Sequence, residues 1–291
     1  MIGNVVLAGI SLAAFYFVLS AGLSLVFGIM GVLNFASAGY FLIGLYASWF
    51  LLGHGSGFLL ATLAAGLVGG VVALIVEFAL LRPLYRNPGG QLLTTLGVML
   101  ILSEAVNWIF GPQIQQEPMH GLLAATLPVG GVPFPVYRLV LIGAGLVIYG
   151  LLMLLMRGTS LGLKVRAGVE SQTLAELAGI RVMPLRSLVY ALGGVLAGFA
   201  GAFYGPFGGV YPGAGTDTLL LTFIVVVIGG LGSVGGTLVA SLVIGLAEAL
   251  VGFFAPNLAL TVNVLAMIIV LVLRPQGLLG QAPGRRDTHA A

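Results

Sequence analysis

A chain of 291 residues with 59% hydrophobic and only 7% charged residues cannot bury its apolar surface inside itself in water, where soluble domains carry about 25% charge. Its solvent is lipid, which excludes an ordinary soluble enzyme, and the same composition excludes a disordered chain. The net charge of +3 says little about partners and nothing points to nucleic acid; the absence of cysteine excludes disulfides, thiolate nucleophiles and Cys-ligated metals.

The apolar stretches are continuous, as in 139–156 and 258–273, and do not alternate as the strands of a membrane β-barrel do. They fit helices rising 1.5 Å per residue across a hydrocarbon core of about 30 Å. The expected fold is an all-α integral membrane protein, a polytopic helical bundle of about 8–10 transmembrane segments. Nine candidate spans follow in order, near 4–30, 33–52, 58–82, 92–110, 136–157, 186–207, 217–232, 234–254 and 258–274. No Lys or Arg precedes Arg82, so the first stretch reads as a retained helix and not as a cleavable leader.

Discontinuous segments are expected near 31–39 and 229–236. The first holds Asn34 and Gly39. The second holds Gly229, Gly230, Gly232, Gly235 and Gly236, and each glycine weakens a helix by about 1 kcal/mol relative to Ala. Breaks at membrane depth occur only inside protein or beside a wet cavity, and paired breaks in two halves are typical of transporter repeats. Glycine occurs 46 times. Pairs such as Gly66–Gly70, Gly194–Gly198, Ala197–Gly201 and Gly201–Gly205 have the spacing that lets helix backbones approach closely in lipid.

Ten of the eleven basic residues fall in three places: Arg82 and Arg86; Arg157, Lys164, Arg166, Arg181 and Arg186; and Arg274, Arg285 and Arg286. Only Arg138 lies elsewhere. The positive-inside rule makes those three segments cytoplasmic, which places the N-terminus outside and the C-terminus inside. The chain then reads as a single transmembrane domain over 1–274, with an external loop at 111–135, a cytoplasmic loop at 158–185 and a cytoplasmic tail at 275–291.

Polar groups within spans are the candidate pathway residues. Glu104 and Asn107 share a helix face, and Glu248 and Asn263 lie in later spans. For Glu104 and Glu248, lining a path and holding helices together are equally open. Glu77 reads as a carboxylate paired at the membrane edge near Arg82, and Asp217 as a helix N-cap. The histidines, His54, His120 and His289, have no ligand spacing, no Ser/His/Asp set converges, and Gly-x-x-x-x-Gly-Lys-Ser/Thr does not occur. The chain is expected to be a non-catalytic membrane subunit with no metal or cofactor of its own.

The loop after span five carries the most specific pattern. Residues 170–178 have the periodicity of a short amphipathic helix, with Leu174, Leu177 and Ala178 on one face and Gly179 as its C-terminal stop. Glu170 and Glu176 on the polar face would be repelled by anionic lipid, so the apolar face is expected to dock on a soluble protein. With Arg166, Ala167, Ala175, Gly179 and Ile180 in order, this loop resembles the coupling loop of permease subunits in branched-chain amino-acid ABC importers of the LivH/LivM type, although Ser171 stands where the family often has Asp. The segments 34–36 (Asn-Phe-Ala), 227–233 (Val-Ile-Gly-Gly-Leu-Gly-Ser) and 274–278 (Arg-Pro-Gln-Gly-Leu) are similar to the same family, and the order is closer to the LivH-like half.

The resemblance implies half of a translocation path for branched-chain or related small amino acids. It implies a second, LivM-like permease subunit and a periplasmic substrate-binding protein. Two cytoplasmic ATPase subunits holding ATP and Mg are expected to dock on Arg166, Ala167, Glu170, Leu174, Ala175, Leu177, Gly179 and Ile180. It also implies a multi-pass protein of the bacterial inner membrane. The competing expectation is a secondary transporter or channel with an intramembrane carboxylate relay.

Overall fold

A computed structural model describes residues 2–85, 87–119, 121–129, 132–170 and 172–280. Arg86, His120, Ser171, Arg285, Arg286 and His289 therefore lie outside the described residues. The helices are α1 (Ile2–Met30), α2 (Ala36–Gly53), α3 (Phe58–Val76), α4 (Pro88–Phe110), α5 (Val136–Gly158), α6 (Ser160–Glu170), α7 (Gln172–Leu177), α8 (Val182–Gly208), α9 (Ala214–Gly229), α10 (Val234–Phe254) and α11 (Ala259–Leu273). The chain is an all-α, multi-pass membrane protein.

Among the described residues, seven helical segments are long and apolar enough to cross a membrane: those beginning at Gly3, Ala36, Phe58, Pro88, Val136, Val182 and Val234. Helices α9 and α11 fall short of that length: α9 has the 16 residues expected of it but begins and ends three residues earlier, and α11 is two residues shorter than expected. At 16 residues α9 is about 24 Å long, less than the hydrocarbon thickness. The cause is local, since the glycine turn after Gly229 stops α9 early.

Boundaries differ from those expected where capping chemistry sets them. Helix α4 starts at Pro88, not near residue 92. Proline occupies the first turn, where its missing N–H is no loss, and the Asn87 side chain accepts from the Gly90 amide at 3.0 Å. Span three does not end as an α-helix; it passes through a π-helical turn (Glu77–Leu81) and a 3₁₀ turn (Arg82–Leu84). Between α4 and α5, Thr126–Val129 pairs antiparallel with Val132–Pro135, which the prolines there gave no reason to expect.

Helices α1, α2 and α8 are the most buried, and α3 packs against α2 and α8. Lipid is as apolar as leucine, so close backbone contact is what favours one helix on another. A Cβ built on Gly198 would lie 2.2 Å from the Ala65 carbonyl oxygen of α3. One on Gly201 would lie 2.2 Å from the Phe41 carbonyl oxygen of α2, and one on Gly44 would lie 2.5 Å from the Gly198 Cα. The three backbones therefore meet along α8 with no room for a methyl group.

Gly198→Ala is expected to force α3 and α8 apart and lower the unfolding midpoint in detergent by the equivalent of about 1–3 kcal/mol. Gly150→Ala on α5, where an added Cβ meets nothing within 4 Å, is expected to leave it unchanged. Equal midpoints for the two variants in a thermal melt would count against glycine-directed packing.

Candidate functional site

The first break is confined to residues 31–35, shorter than the expected 31–39, because the helix resumes at Ala36. Asn34 organises it. Its Oδ1 accepts from the Ala36 amide at 3.1 Å and from the Tyr190 hydroxyl of α8 at 3.0 Å, while the Ser37 hydroxyl donates to the Asn34 carbonyl at 2.8 Å. Tyr40 and Tyr190 are joined at 2.9 Å. This buried chain ties the turn after α1 to α2 and α8. Gly39 lies within α2 and not in the break; the place of its Cβ is taken by Leu102 of α4, 2.7 Å away.

The second break, 230–233, is a turn in which Gly230 (φ +95) and Gly232 (φ +84) adopt a backbone that favours glycine. Ser233 closes it by accepting from the Gly236 amide at 3.1 Å, and Gly229 sits against Gly236 with no space for a side chain. The chain after α11 returns to this turn, and the amides of Leu278 and Leu279 donate to the carbonyls of Ile228 and Gly229 at 2.7 and 3.2 Å. Residues 275–280, expected as a polar tail, instead satisfy the open carbonyls at the end of α9. A Cβ on Gly232 would lie 3.1 Å from the Gly28 Cα, so the two breaks and this returning segment share one end of the bundle.

The intramembrane acids have different surroundings. Glu248 of α10 accepts from the Tyr16 hydroxyl of α1 and from Asn263 Nδ2 of α11, each at 2.8 Å, so it joins three helices. Glu77 is buried and accepts from the Tyr85 hydroxyl; Arg82, its expected partner, lies over the Phe78 ring at 4.9 Å. Arg186 stacks over the Tyr85 ring, 4.7 Å from its centre. Glu104 is exposed on α4, and its side-chain partner is Asn107 of the same helix, at 3.3 Å. Both line a cleft of about 230 Å³ with Ser103, Pro112, Tyr211, Pro212 and Gly213. Asp217 is not the expected N-cap. It lies inside the first turn of α9, and its carboxylate accepts from the Tyr211 hydroxyl at 2.8 Å.

Glu117 is not among the residues the sequence pattern singles out, because it sits among prolines in a loop. Its side chain turns inward between α2 and α8, only 7% exposed. One oxygen accepts from the Ser48 hydroxyl at 2.7 Å; the other is buried without a partner and occupies the place of a Cβ on Gly205. The only signal in the chain is a lone carboxylate in a loop and a glycine on α8, a pairing visible only in three dimensions. Burial pushes its carboxyl up to about 8, against the pull of the Ser48 hydrogen bond.

The loop between α5 and α8 is two helices, where one over 170–178 was expected. Thr159 Oγ1 starts α6 by accepting from the Gly162 amide at 3.2 Å. Arg166 donates to the Met156 carbonyl, folding α6 against the end of α5. Helix α7 ends as expected at Gly179 (φ +80): the Gly179 amide donates to the Glu176 carbonyl at 2.9 Å and the Ile180 amide to the Ala175 carbonyl at 3.0 Å, a Schellman turn. Ala175 is buried and Ile180 packs on the core, while Leu174 and Leu177 are exposed, Leu177 by 80%. Ala167 is half-buried, and Glu170 is the last residue of α6.

Residues 5–273 match the family described as branched-chain amino acid transport system / permease component. The chain belongs to that family. It is 28% identical to the high-affinity branched-chain amino acid transport system permease protein LivH of Escherichia coli (strain K12), over 94% of both chains. It is 27% identical to BraD of Pseudomonas aeruginosa, again over 94% of both, and 29% identical to a probable LivH of Methanocaldococcus jannaschii, over 90% of this chain and 87% of that one. The permease protein LivM of Escherichia coli (strain K12) is 26% identical over 92% of this chain and 68% of its own length. No solved structure matches the chain.

The raised carboxyl of Glu117 gives a pH dependence. A folded-state value of about 8, above the ordinary 4.5, means the docked loop binds a proton that the undocked loop releases. Docking is strongest below about pH 4.5 and weakens as pH rises through 8. Amide exchange of residues 111–119, corrected for intrinsic rate, is expected to quicken between pH 6 and pH 9, and Glu117→Gln to flatten that change. Protection that ignores pH in the unsubstituted protein would refute the assignment.

Proposed function

We propose that this chain is one permease subunit of an ABC importer. It forms half of the translocation path for branched-chain or related small amino acids delivered by a periplasmic binding protein. A second, LivM-like permease forms the other half. Two ATPase subunits, which hold ATP and Mg, drive the cycle from the cytoplasm of a bacterial inner membrane.

The observation that carries this reading is the construction of α7. Its six residues are locked at the C-terminus by the Gly179 turn, anchored by buried Ala175, and connected by a short turn to α8. Leu177 stands exposed on a helix far too short to span. An exposed leucine on a rigid lever suits the groove of a protein partner. Arg166, Ala167, Glu170, Leu174 and Ile180 complete the docking segment in this proposal. Closure of the ATPases then moves α7 and, through it, the helix that carries the glycine seam.

In this proposal, supported by the positive-inside rule, this end of the bundle faces the cytoplasm, with the N-terminus periplasmic, the C-terminus cytoplasmic, 1–274 as the membrane domain and 111–135 facing the binding protein. Glu104 and Asn107 line the outer mouth of the path. Glu248, tied to Tyr16 and Asn263, holds helices together, and the turns at Asn34 and at Gly229, Gly230 and Gly232 shape its inner end. Chemical work stays in the ATPases, and this chain is not an enzyme.

Reconstituted with its permease, ATPase and binding-protein partners, the chain is expected to support uptake only with ATP. Uptake driven by a proton gradient without ATP would overturn the reading. Leu177→Glu is expected to weaken ATPase recovery by roughly 2 kcal/mol, about thirtyfold, with an unchanged melting profile of the permease. Normal ATPase pull-down by this variant would remove α7 from the interface.

A further inference from the structure

The outward surfaces of the bundle are not equivalent. Along α3 and the π-helical turn after it the outward stripe, Leu59, Leu63, Leu67, Leu74 and Phe78, is wholly apolar and suits lipid. On α4 the outward stripe is Leu93, Gly97, Leu100, Glu104 and Trp108, which share one face by their spacing of three and four. Leu93, Leu100 and Trp108 are 71%, 53% and 87% exposed. Glu104 interrupts the stripe six residues before the helix ends at Phe110, about 9 Å below its outer end. A carboxylate facing hydrocarbon there is unfavourable by several kcal/mol, and Asn107 satisfies only part of it. Gly97 lies on the same stripe, and an added Cβ there meets nothing within 4 Å. Small residues open outward in this way allow a second helix to approach.

We infer that the α4 stripe is the seam against a second, non-identical permease of the same family, whose facing helix presents a hydrogen-bond donor or cation to Glu104. The inference rests on the importer reading and assigns the surface it leaves open. The hydrocarbon tails of lipid cannot supply the donor. A second copy related by a two-fold axis would set one α4 stripe against another and bring like carboxylates together. A distinct partner fits the charge, and LivM-type chains align with this one along most of its length. The cleft beside Glu104 then opens at the junction of the two subunits, where a path between them would begin.

The test is site-specific photocrosslinking in membranes carrying the whole complex, with benzoylphenylalanine replacing Leu93, Leu100 or, as the lipid-facing reference, Leu67. Adducts with the second permease are expected from positions 93 and 100 and not from 67. Glu104→Gln is expected to keep the pair and Glu104→Leu to reduce its recovery at least tenfold, with the melting profile of the isolated chain unchanged. If the second permease co-purifies but the α4 probes reach only lipid or another copy of this chain, the seam is misassigned while the importer reading stands. Normal pairing by Glu104→Leu would likewise overturn the seam and spare the importer reading. If no second permease accompanies the chain at all, the importer reading fails and the seam with it.

Discussion

Contact between bare helix backbones is the constraint on which the rest of this protein depends. In water, leucines would hold helices together by leaving the solvent; in a bilayer they gain nothing by it. What remains is van der Waals contact, and it is greatest where side chains are absent. Gly44, Gly198 and Gly201 bring α2, α3 and α8 to distances at which a single methyl group would collide with a neighbouring backbone. Because α8 follows α7 through residues 178–181, this seam also ties the inner helices to the segment that carries α7.

Polar side chains supply the second kind of adhesion, worth about 0.6–2 kcal/mol for each hydrogen bond between helices in a membrane. Asn34, Tyr40 and Tyr190 join the α1–α2 turn to the central pair. Tyr16, Glu248 and Asn263 join α1, α10 and α11. Against this background Glu104 stands apart, since its hydrogen bond stays within its own helix and its face is open. The same residue type therefore serves cohesion at one position and leaves an unmet demand at another, and the difference lies wholly in the neighbours.

Much of this was legible in the residues. Continuous apolar runs located the helices to within a few positions, since hydrocarbon thickness fixes their length. Gly179 announced the end of α7, since few other residues adopt its backbone geometry cheaply. Asn34 and the glycines at 229–236 announced the two breaks. Capping at Asn87 and Thr159 is equally local, and it sets the start of α4 and of α6.

The rest depended on residues distant in sequence. Whether Glu77 meets Arg82 or Tyr85 depends on the π-helical turn between them, and whether Glu117 faces water or a glycine on α8 depends on how the loop after α4 folds back. Segment 275–280 became a cap because the end of α9 lay within reach. The solvent, the helices and the places where they stop could be read from the residues alone, because these follow from transfer free energy and backbone geometry acting over a few positions. Which carboxylate is shared, which is sealed in and which faces outward emerged from the folded arrangement, because in a low-dielectric medium the state of a polar group depends on whichever atoms lie within hydrogen-bonding distance of it.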